Sequence, residues 1–268
     1  LTGGPALPPH QGCRIHRALR PNRTRPRRTP PPHRIVQIAG IADQAEADLL
    51  VAAGVDWLGF PFRLAVHLPD LSEDAAARII RSLPPPHAAV IITYLDTADA
   101  ILDLCRHLGA RHVQLHGPIP VAELAAVDRR DPDLFLIKSL VIRSPAPFES
   151  PPSASPTSPW DAIEAELHAA SPYVDAFLTD THDPATGATG ATGKTHDWAL
   201  SRRLVELSPR PLLLAGGLTP ANVGAAIHTV RPTGVDAHTG VEGPDGRKDP
   251  RLVRALVAAA RKAWDSFP

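Results

Sequence analysis

From Arg34 to the C-terminus, short apolar runs alternate with longer stretches whose apolar positions recur every three or four residues. Runs of the first kind suit strands covered on both faces, and stretches of the second kind suit helices with one buried side. The apolar runs are Ile35–Ala39, Trp57–Phe60, Ala89–Tyr94, His112–Leu115, Leu134–Lys138, Val174–Thr179, Pro211–Ala215 and Gly234–Ala237. Between them lie helix boundary signals. Asp43 opens the first helix and Gly54 ends it, Ser72 opens the second before a stop at Pro84, and Asp96 or Thr97 opens a third that Gly109 closes. The fourth follows Pro120, the fifth starts at Ser158-Pro159 and the sixth near Asp197. Thr219-Pro220 and Asp249-Pro250 open the last two, the final one running to about Trp264. An acceptor side chain ahead of a helix satisfies its free N–H groups, proline is tolerated at the first helical position, and glycine just past the end accepts a left-handed backbone. Eight strand–helix units in series predict an α/β fold, a (β/α)8 TIM barrel. An open doubly wound sheet is the alternative, but it rarely needs eight such even units.

The segment before Arg34 reads differently. Leu1 to Ala42 contains no acidic residue, while Arg14, Arg17, Arg20, Arg23, Arg25, Arg27 and Arg28 accumulate among prolines. Such a stretch has too little apolar surface to offset the entropy of ordering. Residues 1–33 are therefore expected to be a disordered basic extension, and residues 34–268 the barrel. A second proline- and serine-rich stretch, Arg143 to Ser158, reads as a long surface loop. Over the whole chain 28 Lys and Arg balance 28 Asp and Glu, which gives no overall drive toward nucleic acid or acidic membranes. A basic tail suits RNA, but an unstructured extension is the simpler reading. No apolar run is long enough to cross a bilayer, and the first residues lack the apolar core of a signal peptide. Cys13 and Cys105 form no disulfide framework, so a cytoplasmic, reducing setting is expected.

In a barrel of this kind the loops after the strands build the site. The seventh strand runs into Gly216-Gly217, and the eighth into Thr239-Gly240. Glycines there let backbone N–H groups approach phosphate oxygens, which marks these ends as a phosphate cradle. The loop after the sixth strand, Gly187 to Lys194, superficially resembles a nucleotide-binding loop. Ala188 stands where such a loop needs its first glycine, so the segment reads as a lid. The histidines show no metal-ligand spacing, and no metal is expected.

Taken together, the strand ends resemble the phosphoribosylanthranilate isomerase family. The resemblance rests on Gln37-Ile38-Ala39-Gly40-Ile41, Gln114-Leu115-His116-Gly117, Ile137-Lys138, Leu178-Thr179-Asp180-Thr181, Gly190 to Trp198, Leu214 to Pro220, Gly234-Val235-Asp236 and Thr239-Gly240-Val241-Glu242, in that order. It implies an Amadori rearrangement of a phosphoribosyl amine without a cofactor. The resemblance puts the general acid on Asp180 and substrate contacts on Gln114, His116, Lys138, Thr192, Gly193, Gly216, Gly217, Thr239 and Gly240. The family's general base is a Cys at the end of the first strand, where this chain has Ala39, which cannot move a proton. Asp96, His116 and His238 also sit at strand ends, and Asp96 or His238 is the expected substitute. The family's anthranilate-binding Arg belongs to the loop after the second strand, where this chain offers Arg63 or His67. Lys138 as a Schiff-base amine gives the lyase alternative, and binding without turnover is a further one. The expected partner is a phosphorylated small molecule, met by a monomer or homodimer. Removing residues 1–32 is expected to leave folding and activity intact; a melting temperature lowered by several degrees would show that the segment packs on the barrel.

Overall fold

The computed structural model describes residues 33–64, 71–143, 159–182 and 197–267. The basic extension, His67, Thr192, Gly193, most of the proline- and serine-rich loop and the proposed lid lie outside the described residues. The strands are β1 (Ile35–Ala39), β2 (Trp57–Pro61), β3 (Ala88–Thr93), β4 (His112–Leu115), β5 (Phe135–Arg143), β6 (Ala176–His182), β7 (Leu212–Leu214) and β8 (Gly234–Ala237). The helices are α1 (Gln44–Ala52), α2 (Glu73–Ser82), α3 (Ala98–Leu108), α4 (Val121–Arg130), α5 (Pro159–Ala170), α6 (Trp198–Leu207), α7 (Val223–Val230) and α8 (Pro250–Asp265). Each strand pairs in parallel with the next, and β8 returns to β1, so the sheet is a closed eight-stranded barrel.

The boundary signals act as the residue types require. Asp43 accepts the Glu46 N–H, Ser72 the Ala75 N–H and Asp249 the Arg251 and Leu252 N–H groups. Gly109 closes α3 in the left-handed region at φ 76°. Two expectations shift. β5 and β6 run beyond their expected ends, with the ladder continuing to Arg143 opposite His182. The extension Leu140-Val141-Ile142 is branched and apolar, and the first helix-breaking proline comes only at Pro145. Asp180 consequently lies within β6. Helix α7 begins after Asn222 instead of at Thr219-Pro220.

Alternation along the strands divides the core in two. Ile38, Leu58, Phe60, Leu115, Phe177, Leu214 and Val235 face the helices and pack with Leu50, Leu104, Ile227 and Leu256. Ala39, Trp57, Val90, Ile92, Ile137, Ala176, Leu178, Leu213 and Ala215 fill the lumen. At the strand starts, the rings of Trp57, His112 and Phe135 lie with centroids 5.0–5.6 Å apart. Burial lowers the His112 pKa to about 4, so its imidazole packs there as a neutral ring. No helix among the described residues is long and apolar enough to cross a membrane.

On the rim at the strand starts, the same device occurs twice. Asp56, just before β2, accepts the Val36 N–H of β1 at 2.7 Å and meets Arg261 of α8 at 2.6 Å. Asp175, just before β6, accepts the Leu136 N–H of β5 at 2.8 Å. Each carboxylate takes an amide that the ladder would otherwise leave unpaired. Asp175→Ala is expected to cost about 1–3 kcal/mol in urea unfolding while leaving activity unchanged, because this rim is opposite the mouth. A loss of activity at wild-type stability would contradict that division.

Candidate active site

Above the apolar plug the lumen turns polar. Gln37 on β1 donates through Nε2 to Gln114 Oε1 on β4 at 2.9 Å, and Gln114 Nε2 donates to Ser139 Oγ on β5 at 3.4 Å. Ser139 Oγ lies 3.2 Å from His116 Nδ1, and His116 Nε2 lies 3.5 Å from Asp180 Oδ2 on β6. All five residues are buried. The structure thus brings Gln114, His116 and Asp180 into one chain across adjacent strands. The Tyr94 ring packs on His116 with centroids 5.0 Å apart. A Cβ on Gly117 would stand 2.9 Å from Tyr94 Cδ1, so Gly117 makes room for that ring.

Asp236, opposite Gln37 in the β1–β8 ladder, completes the polar floor. Burial first, and then the neighbouring Asp180 carboxyl group, raise its pKa well above the usual carboxylate range; Gln37 and Lys248 act in the other direction. Gln37 Oε1 and Asp236 Oδ1 are buried without a hydrogen-bond partner among the described residues.

The glycines of the expected phosphate cradle also come together. Gly216 and Gly217 have φ of 97° and 60°, values that side chains disfavour. Asn222 fixes this turn from below: its Oδ1 accepts the Thr219 N–H at 2.8 Å and its Nδ2 donates to Gly217 O at 2.9 Å. Thr239–Val241 form a short 3-10 turn after β8. A Cβ on Gly240 would fall 1.9 Å from Leu218 O, so only glycine lets this turn pack on the β7 loop backbone. Thr239 is exposed beside it.

Other candidates separate. Ile137 and Ser139 face the lumen, so the period of two turns Lys138 toward the helices. Its Nζ lies 2.8 Å from Glu166 of α5 and 2.6 Å from Ser139 O, buried and away from the other site residues. This differs from the expected substrate contact. Asp96 is exposed, just ahead of Thr97 at the start of α3. Arg63 has a φ of 53° and forms a two-point pair with Glu73, at 2.9 and 3.2 Å. Ala39 is buried in the lumen at the end of β1.

His238 is only partly buried, and its Nε2 lies 3.3 Å from Glu242 Oε1. The same oxygen lies 2.6 Å from Lys248 Nζ, whose side chain is buried. Glu242 and Lys248 face each other across an antiparallel bridge that the Gly243–Arg247 hydrogen bond closes. Tyr94, Asn222 and Lys248 are residues that strand-end reading misses, and Glu242 stood in a matched segment without a role of its own. Only Tyr94 carried a usable signal, since it follows Ile92 by two residues and so faces the same way.

These placements define a (β/α)8 barrel whose candidate site lies at the carboxyl ends of the strands. Comparison with known proteins narrows the class. Residues 154–259 match the family model for N-(5'-phosphoribosyl)anthranilate isomerase. N-(5'-phosphoribosyl)anthranilate isomerase 2 of Methanosarcina mazei is 33% identical over 227 residues, which cover 84% of this chain and 93% of that protein. The solved phosphoribosylanthranilate isomerase of Thermotoga maritima superposes with a TM-score of 0.68 at 29% identity, covering 85% of this chain and 98% of that one. A phosphoribosylanthranilate isomerase solved with reduced 1-(o-carboxyphenylamino)-1-deoxyribulose 5-phosphate gives 0.67 at 28% identity, with the same coverage. The chain belongs to the phosphoribosylanthranilate isomerase family.

The buried carboxyl sets a pH dependence. In the native state Asp236 keeps its proton at pH values where the unfolded chain has lost it. The folded form then binds more protons, so stability falls as pH rises from the unfolded value toward the raised native one. Asp236→Asn removes this titration. The melting temperature of the variant relative to wild type is expected to rise as pH climbs above about 4; a constant difference would show that Asp236 ionises normally.

Proposed function

We propose that this barrel isomerises a phosphoribosylated aromatic amine, phosphoribosylanthranilate in the first instance, to its 1-deoxy-ketose in tryptophan biosynthesis. The observation that carries this reading is the buried His116–Asp180 pair standing in the same mouth as the contact between the β7 and β8 loops. The loop contact offers backbone N–H groups at Gly216, Gly217 and Gly240 for the phosphate. Asp180 is the general acid for the ribose ring oxygen, and Gln114 and His116 hold it in place and line the sugar. Thr239, Thr192 and Gly193 complete the sugar-phosphate end, and Arg63 or His67 serves the anthranilate end. Lys138 keeps to Glu166, which leaves the lyase alternative without its amine.

The rearrangement opens the ribose ring and oxidises one carbon at the expense of its neighbour within the same molecule, so acid and base groups suffice and no outside electron carrier is needed. Every residue named belongs to one chain, so a monomer or a homodimer suffices, and the cytosol supplies the phosphoribosyl substrate. Ala39 is the one observation favouring a second reading, in which the barrel binds a phosphosugar without turning it over.

Turnover of phosphoribosylanthranilate separates the two. The wild-type chain is expected to form product, and Asp180→Asn to lose activity by about 10²–10⁴-fold, because an amide does not donate a proton to the ring oxygen. Binding of the reduced product analogue with no product formed would favour the binding protein. Full activity in Asp180→Asn would remove the acid from β6.

A further inference from the structure

The polar chain in the lumen has a direction. Gln37 starts it: its amide is the hydrogen-bond donor that acts on the Asp236 carboxyl, and its Nε2 donates to Gln114 Oε1 at 2.9 Å. With its oxygen occupied in that way, Gln114 turns its own amide nitrogen to β5 and donates to Ser139 Oγ at 3.4 Å. A hydroxyl has one proton to give and accepts at its lone pairs. Ser139 Oγ receives from Gln114, so its proton goes to its other neighbour. Among the described residues that acceptor is His116 Nδ1, at 3.2 Å.

A ring nitrogen that accepts a hydrogen bond carries no proton, so the neutral imidazole holds its proton on Nε2. That nitrogen lies 3.5 Å from Asp180 Oδ2. The surroundings fix the plane of the ring. Tyr94 packs on it with centroids 5.0 Å apart, and Gly117 gives Tyr94 the room. Lys138 Nζ donates to Ser139 O at 2.6 Å, which pins the backbone that carries the hydroxyl. The chain from Gln37 therefore ends by delivering one N–H to the carboxyl of β6.

On the reading that Asp180 is the acid of the isomerisation, we infer that Ser139 is a positioning residue for it: the hydroxyl, directed by Gln37 and Gln114, holds His116 in the Nε2–H tautomer that serves Asp180. Asp180 gives its proton to the ribose ring oxygen and the C1–O bond breaks. The bond's electron pair stays on that oxygen, and the lone pair of the amine nitrogen closes the iminium. The carboxylate left on β6 has the His116 N–H at Oδ2, and this hydrogen bond strengthens as the charge forms. The opposite tautomer would set a lone pair against the new charge and repel it. Ser139 touches no reacting atom and acts only through His116.

The titratable groups set against His116 are Asp180 from β6 and Tyr94 from β3. Asp236 of β8 is within electrostatic reach of Asp180. His238 lies against the end of β1, where a Cβ on Gly40 would collide with its ring, and Glu242 pairs with it there at 3.3 Å. Lys138 is turned to Glu166 outside the lumen. From β5 it is the Ser139 hydroxyl that meets Nδ1, so its removal is felt first at that nitrogen.

Nitrogen NMR and kinetics of the full chain test the assignment. Without substrate, the His116 ring of wild type is expected to show its proton on Nε2 and a hydrogen-bonded lone pair on Nδ1. In Ser139→Ala the ring is expected to take its second proton at a higher pH than in wild type, because no hydroxyl then opposes protonation of Nδ1. The variant's kcat for phosphoribosylanthranilate is expected to fall about tenfold, the rate equivalent of one lost hydrogen bond, with KM within about twofold of wild type. A proton on Nδ1 in wild type at the pH of turnover, which is the chain running in reverse, overturns the assignment. So does Ser139→Ala with the wild-type titration or the wild-type kcat. The tautomer is read without turnover, so these outcomes leave the isomerase reading standing. No product from wild type, or full activity in Asp180→Asn, overturns that reading and with it the service of Ser139 to the acid, whichever nitrogen holds the proton.

Discussion

The β1–β8 ladder closes the barrel, and the arrangement at the mouth depends on its register. Pairing Gln37 with Asp236 and Ile38 with Ala237 carries the end of β1 level with the residues that leave β8. From that alignment follow the meeting of Gly40 and His238, and the meeting of the polar lumen with the β8 loop. A shift of one residue would reverse which side chains face inward. Gln37 would leave the lumen and Ile38 would enter it. The apolar layer of Trp57, Val90, Ile137 and Leu213 beneath helps hold the register, since those residues fill the lumen only in this alignment.

A dry barrel interior makes polar groups costly unless they are paired, so those present must be arranged with care. Gln37, Gln114, Ser139, His116 and Asp180 satisfy most of their needs in a single chain. Asp236 answers the same pressure by holding its proton, since its burial and the nearby Asp180 carboxyl group both oppose an anion there. At the rim, where His238 is partly exposed, a charge is tolerated, and Glu242 and Lys248 are spaced to support it.

Much of the scaffold is legible from periodicity alone because each unit is stabilised locally. Asp43, Ser72 and Asp249 cap the helices they precede, and Gly109 closes α3 as its residue type requires. The ends of β5 and β6 are harder to read, since Leu140 to Ile142 fit a strand or an apolar loop until the partner strand is known. Lys138 misleads for a related reason. Its place at an apparent strand end suggests the mouth, but the strand continues, and alternation turns the side chain toward Glu166. The glycine pairs announce a close backbone approach without saying to what. Asn222 beneath Gly217, and Glu242 with Lys248 beside His238, depend on how each connection folds back on itself, which residue types alone do not announce.

The central claim is that this mouth performs the rearrangement, with the phosphate at the β7 and β8 loops and Asp180 as the acid. A crystal structure of the chain with reduced 1-(o-carboxyphenylamino)-1-deoxyribulose 5-phosphate tests it most directly. The account predicts the phosphate against Gly216, Gly217 and Gly240. The hydroxyl derived from the ring oxygen should lie within hydrogen-bond reach of Asp180, about 2.6–3.2 Å. A ligand whose phosphate lies away from these glycines, or whose hydroxyl lies out of reach of Asp180, would contradict it.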